Sequence, residues 1–236
     1  MTREVDAPLG AARLRAIYDR LGARYDLLLS AARAPKTGAL ALLAVQPGER
    51  ALEVGVGTGR VLVALAKAAA GCQVAQESGQ DGDPVLVRGL DLSPVMVGLA
   101  RERVRAAGLN AVVEVREGDA RALPYPDASF DAAFSSYVLD LLSAADIAHA
   151  LGELRRVLRP GGRLALVALS PGTSAPAQLF TTAYTALYRA HPDWLAGCRP
   201  IRLEPLLRDA GFAIRARRAW FRWHPSEAVL AAKPAG

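Results

Sequence analysis

The residues best placed to do chemistry stand in the run Glu53-Val54-Gly55-Val56-Gly57-Thr58-Gly59. Glycines at alternate positions let a backbone turn approach a ligand closely, and a helix that follows such a turn offers unpaired N–H groups. A dinucleotide-binding turn, G-x-G-x-x-G, would carry its third glycine at position 60. That position is Arg60, and the glycine comes one residue early, at Gly59. Glu53 lies two residues before the first glycine. A carboxylate there would repel a pyrophosphate but pair with an ammonium. This disfavours a nicotinamide dehydrogenase and points to a ligand with positive charge and no phosphate. S-adenosylmethionine, with its ammonium and sulfonium, has that chemistry.

Further acids extend the pattern. Asp91, in GLDLSPVM, ends the second strand, where a carboxylate can accept both hydroxyls of a ribose. Leu92 and Met96 are expected beside the same ligand. The separation from the glycine turn exceeds the usual ~20 residues because the polar stretch 71–84 intervenes. A surface insertion of this kind leaves the strand end in place. Asp119, in EGDARALPYPDASFD, can accept a hydrogen bond from an adenine amino group, with the Ala120 N–H serving the ring. The run from Phe134 to Asp140, Ser135 included, is expected to line the methionine end of the cofactor and the mouth of an acceptor pocket. Ligands of open α/β sheets bind there, outside the carboxyl ends of the strands.

Methyl transfer from a sulfonium is an in-line displacement in which the protein aligns the nucleophile and excludes water. A general base is needed only if the acceptor must lose a proton. Asp140, His191 and Tyr137 are the candidates, His191 in a segment with Trp194, Cys198 and Arg199 that could cover the pocket. Each has a plainer reading: Asp140 as a cap or surface charge, His191 as a helix terminus before Pro192. The histidines at 149, 191 and 224 show no metal-ligand spacing, so no metal is expected.

The elements that must position these groups alternate along the chain. Apolar residues at helical spacing run through 11–29, and a second short helix covers 37–45. Strands are expected at 51–55, 85–91, 111–119, 130–138 and 163–170. The intervening helices cover 60–70, 93–108 and 144–158. The 93–108 helix has Ser93 as N-cap and Pro94 at its first position, and Gly108 ends it. The last third holds a helical insertion at 175–190 and a short helix at 203–210. Strands 212–223 and 226–233 follow, joined by a His224-Pro225 turn. The architecture expected is α/β: a Rossmann-like three-layer sandwich with a mostly parallel seven-stranded sheet and an antiparallel C-terminal hairpin.

In this order, LEVGVGTGR, GLDLSPVMVGLAR, EGDARALPYPDASFD and RVLRPGGRL resemble the successive motifs of class I S-adenosylmethionine-dependent methyltransferases. They look most like the branch holding the ubiquinone/menaquinone-biosynthesis C-methyltransferases. IYDRLGARYDLLLS also resembles that branch and the bacterial phospholipid N-methyltransferases. The resemblance spans about residues 14–170 and is weak beyond, where acceptor identity is normally decided. It implies sheet order 3-2-1-4-5-7-6, cofactor contacts at Gly55, Gly57, Asp91 and Asp119, and closure of the site by Tyr18 or Tyr25. Either tyrosine could equally be a core aromatic on a helix face. The division implied is one methyltransferase domain over 1–236, with a helical lid at 1–48 and an insertion at 171–210 near the acceptor.

Composition narrows the partners. Of 236 residues 52% are apolar and 22% charged, enough for a sizeable core, and the net charge is +6. Arg215, Arg217, Arg218 and Arg222 form a local basic cluster. No apolar run is long enough to span a bilayer, the N-terminus is too charged for a secretory signal, and the two cysteines lie far apart, so a cytoplasmic location is expected. Nucleic acid is not expected as acceptor, because SSYVLD stands where amino-methylating DNA enzymes carry an Asn/Asp-Pro-Pro-aromatic motif. The first expectation for the acceptor is a small aromatic or quinone-like molecule. A phospholipid amine is the second, with the arginine-bearing helix at Arg13, Arg15, Arg20 and Arg24 against the inner membrane face. A protein that binds S-adenosylmethionine without turning it over is the third. Either a monomer or a homodimer is compatible with the sequence.

Overall fold

The first four strands are short and bounded by turns: β1 (Ala51–Val54), β2 (Val87–Asp91), β3 (Val113–Glu117) and β4 (Phe130–Ser136). All four residues of β1 are buried, as expected for a strand covered on both faces. The computed structural model describes residues 9–28, 33–71, 85–221 and 224–235, so most of the 71–84 stretch, Cys72 and Arg222 lie outside it. With β5 (Leu158–Leu169), β6 (Ala213–Phe221) and β7 (Pro225–Ala232), the strands form one seven-stranded sheet of order β3-β2-β1-β4-β5-β7-β6. Strands β1 to β5 pair in parallel, and β7 lies antiparallel between β5 and β6.

Helices cover both faces. The core on one side packs the sheet against α3 (Arg33–Leu43), α4 (Arg60–Ala70) and α5 (Pro94–Ala106), with Leu43, Leu62, Leu65 and Val104 buried. On the other side Ile147, Leu151 and Leu154 of α6 (Ala144–Val157) and Leu203 and Leu207 of α8 (Leu203–Asp209) close a second core. These two cores make the three layers. The remaining helices, α1 (Ala11–Leu21), α2 (Tyr25–Leu28) and α7 (Ala175–Ala190), belong to the segments before β1 and after β5.

Some boundaries differ from the expectation, each for a local reason. The helix expected over 11–29 breaks at Gly22, whose φ of +46° an L side chain rarely adopts, and resumes as α2 after a single 3-10 turn. The helix expected at 37–45 begins earlier, at Arg33, because Pro35 fits a first helical turn. Strand β4 stops at Ser136, since Tyr137 turns into the left-handed region at φ +56°. Strand β5 starts at Leu158 rather than 163. Phe130 pairs with Leu158 and Ala132 with Arg163, so the Pro160-Gly161-Gly162 stretch becomes an irregularity within the strand.

Candidate active site

The order of the sheet reverses where β2 and β4 flank β1, so the carboxyl ends of these strands open a crevice. The glycine turn forms its floor. Gly55, Gly57 and Gly59 all have positive φ, at +77°, +51° and +80°. A Cβ on Gly55 would stand 2.2 Å from Val138 Cγ2, and one on Gly59 2.9 Å from the Cα of Ala100 in α5. Gly59 is thus fixed by helix packing and not by the cleft. Asp91 ties the turn to β2, accepting the Gly57 N–H at 2.8 Å and the Ser93 N–H at 3.0 Å. Burial raises the Asp91 carboxyl above its ordinary range, and those N–H groups oppose the rise.

The cleft wall includes Gly55, Gly57, Asp91 and Leu92 on one side and Asp119, Ala120, Ser136 and Tyr137 on the other. Arg121 holds the Asp119 carboxyl below its ordinary range, at 2.6 Å, and also pairs with Asp146 at 2.9 Å. Tyr18 and Tyr25 cover the cleft from the N-terminal helices, the Tyr25 ring 3.5 Å from where a Cβ on Gly57 would lie. The cover is latched to the cofactor-side loops. Asp19 accepts from the Ser93 hydroxyl, and Arg15 pairs with Glu117 at 2.9 Å. Asp26 accepts from the Thr58 hydroxyl at 2.7 Å and pairs with Arg103 at 2.7 Å and Arg60 at 2.9 Å. Burial alone would raise Asp26, but these partners hold it below the usual carboxylate range.

A second cavity, of about 380 Å³, meets the cleft at Tyr25 and is lined by Glu53, Thr58 and Lys36. Glu53 is 1% exposed, and its Oε2 has no hydrogen-bond partner. Burial raises its carboxyl, and the Lys36 ammonium is the charge that opposes the rise. Lys36 Nζ lies 5.6 Å from the Tyr25 ring centre and 5.7 Å from that of Tyr137. A lysine on a helix reads in sequence as a solvated charge; only the packing of α3 beneath the tyrosines turns it inward.

A third cavity, of about 430 Å³, shares Tyr18, Tyr25 and Tyr137 with the neighbourhood of the cleft and is otherwise walled by Phe180, Tyr184, Trp194 and His224. A volume of this order suits a drug-sized organic molecule. On its edge the Tyr184 hydroxyl donates to the Cys198 carbonyl at 3.1 Å.

Five of the expected site residues are not brought to these walls: Gly59, set aside above by its packing on α5, and four others. Met96 and Ser135 are buried at 0% and 2% exposure. In β4 the residue at the cleft is Ser136, because side chains alternate along a strand. Asp140 sits in a 3-10 turn at Leu139–Leu141 with no exposed surface, accepting the Leu169 N–H at 3.1 Å. Burial holds its proton up to about pH 7. His191 ends α7 in solvent, stacked on the exposed Trp194 ring at 4.2 Å.

Comparison with known proteins agrees with this geometry. Residues 52–166 match the family described as "Methyltransferase domain". The chain is 31% identical to the demethylmenaquinone methyltransferase of Deinococcus radiodurans, the alignment covering 94% of this chain and 95% of that protein. It is 33% identical to the ubiquinone/menaquinone-biosynthesis C-methyltransferase of a Caulobacter species, strain K31, over 82% of this chain and 75% of that one. Among solved structures the cyclase SpnF superposes with a TM-score of 0.70 at 22% identity, over 98% of both chains, a likeness of fold. Glu53, with a buried oxygen lacking a partner, and the carboxylates of Asp91 and Asp119 along one cleft suit a ligand bearing an ammonium, a ribose and an adenine. The chain belongs to the class I S-adenosylmethionine-dependent methyltransferases.

Proposed function

We propose that this methyltransferase acts on a small aromatic, quinol-like acceptor held in the cavity walled by Phe180, Tyr184 and Tyr137. The observation that carries this reading is that one set of tyrosines, Tyr18, Tyr25 and Tyr137, borders both the cleft and the aromatic cavity. A flat, apolar acceptor would lie there against a cofactor in the cleft. The Deinococcus and Caulobacter relatives, named as methyltransferases of menaquinone and ubiquinone biosynthesis, support the same class.

In this reading Asp91 accepts the ribose hydroxyls, and Asp119 with Ala120 serves the adenine edge, beside Leu92. Glu53 and Lys36 take the two charges of the amino-acid end, ammonium and carboxylate, with Gly55, Gly57 and Thr58 against the methionine chain. S-adenosylmethionine supplies an electrophilic methyl group. The protein orients the acceptor and keeps water out, with Tyr18 and Tyr25 as the cover and residues 171–210 as the acceptor wall. The basic helix α1 serves as lid rather than membrane anchor, because Arg13 is paired with Asp193 and Arg15 with Glu117. No helix among the described residues is long and apolar enough to cross a membrane.

The test is calorimetric titration with S-adenosylhomocysteine, wild type against Asp91→Asn, followed by turnover. The acceptors are a short-chain demethylmenaquinol and phosphatidylethanolamine vesicles. Binding weakened by at least about tenfold in the variant, with methylation of the quinol alone, is expected, a charged ribose contact being worth about 1.5–3 kcal/mol. Methylation of the vesicles instead would overturn the acceptor. Tight binding with no turnover of either would favour a protein that binds S-adenosylmethionine without transferring its methyl group.

A further inference from the structure

The aromatic cavity contains a hydrogen-bonded chain that meets the cofactor cleft at Tyr137 alone among its members. At its wall His224 Nδ1 stands 2.8 Å from Ser226 Oγ, which stands 3.0 Å from the Tyr137 hydroxyl. Ser226 is fully buried and Tyr137 is 9% exposed, whereas His224 is half-buried and borders the cavity. Tyr137 joins this chain with its backbone at φ +56°, just past the end of β4. A non-glycine residue in that region costs about 1–2 kcal/mol, and strain of this kind collects at functional sites.

The other proton-bearing groups facing the cavity come from several elements. Burial raises the hydroxyls of Tyr18 (α1), Tyr25 (α2), Tyr137 and Tyr184 (α7), and the Cys198 thiol, so all stay protonated. Asp193 is paired with Arg13; Lys36 stands over the Tyr137 ring, where burial lowers its ammonium and the Glu53 charge opposes the fall. Burial pushes the His224 imidazole below its ordinary value, so it is neutral near pH 7. Among the described groups bordering the cavity it is the base left to receive a proton.

We propose that His224 is the general base of the acceptor site, with Ser226 and Tyr137 as its positioning residues. In the tautomer where Nδ1–H donates to Ser226 Oγ, Nε2 presents a lone pair; the Pro225 backbone also bonds the imidazole and opposes the effect of burial on it. Nε2 takes the proton of the acceptor's hydroxyl: the O–H bond breaks with its pair left on oxygen, and an imidazolium forms. The oxygen pair then makes the oxygen, or through the ring a carbon, the nucleophile. After transfer to oxygen the imidazolium returns its proton to solvent; after transfer to carbon that carbon loses its own proton to solvent while the imidazolium returns its proton to the oxygen. This inference rests on the aromatic-acceptor reading above.

The experiment uses the full chain with saturating S-adenosylhomocysteine and 4-nitrophenol as probe, whose phenolate absorbs visible light. Wild type, His224→Gln and Ser226→Ala are compared, each first shown to bind S-adenosylhomocysteine normally. The wild type is expected to ionise the bound probe at lower pH than His224→Gln does, with Ser226→Ala between them. With a short-chain demethylmenaquinol, His224→Gln should lose about 100-fold or more in kcat with little change in KM. It should also lose the acid limb of the kcat/KM profile. Probe bound and ionised alike by all three proteins would overturn the proposal while leaving the acceptor reading intact. A probe that binds none of them would sink the acceptor reading itself, and His224 with it.

Discussion

Asp140 offers a sharp quantitative test, because its carboxyl sits without exposed surface and one oxygen, Oδ1, has no hydrogen-bond partner. Burial is the chief cause that moves its pKa from 3.8 to about 7; the Leu169 N–H and the Arg199 charge oppose it without winning. The folded state therefore binds a proton that the unfolded chain has already released, and stability must fall as pH rises between those two values. Each tenfold in proton affinity is worth about 1.4 kcal/mol, so the loss amounts to about 4 kcal/mol. Asp140→Asn keeps the shape and an oxygen for the Leu169 N–H but cannot ionise. Urea unfolding of both proteins from about pH 4 to about pH 8 gives a difference curve in which Glu53, Asp91 and other titrating groups cancel. The wild type is expected to lose about 4 kcal/mol relative to the variant over that range and then level off. A flat difference curve would refute the reasoning. A difference that grows with pH would show that Arg199 holds Asp140 ionised in the fold, the opposite sign.

Other outcomes follow from single contacts. Gly59→Ala puts a Cβ 2.9 Å from Ala100 Cα at φ +80°. Backbone strain and overpacking together should cost roughly 2–5 kcal/mol, read as a melting temperature lower by about 5–15 °C. Lys36→Met removes the charge that opposes protonation of Glu53, so S-adenosylhomocysteine should bind at least about tenfold more weakly by calorimetry. Unchanged affinity would detach both residues from the amino-acid end of the cofactor. His191→Ala should leave turnover within about twofold, since His191 is exposed and borders neither cavity; a large fall in kcat would return it to the active site.

Much of the fold was legible in the residues because its signals are local. Buried parallel strands read as short aliphatic runs such as ALEV, and the glycine turn, Ser93 with Pro94, and the acids at strand ends each carry their own backbone or charge signature. The same locality explains the errors. A periodic run could not show that Gly22 would break α1 or that Tyr137 would turn out of β4, since both depend on what the chain meets next.

The sequence by itself therefore determined the sheet, its glycine turn and the placing of Asp91 and Asp119 at one crevice, since strand ends and their order put them there whatever the side chains do. Tertiary structure decided which residues face the acceptor. It buried Asp140, left His191 in solvent, turned Lys36 under two tyrosines and brought His224 and Ser226 to Tyr137 from the far end of the chain. The reason is physical: whether a polar side chain is solvated, paired or aimed into a cavity depends on neighbours distant in sequence, and spacing along the chain carries no record of them.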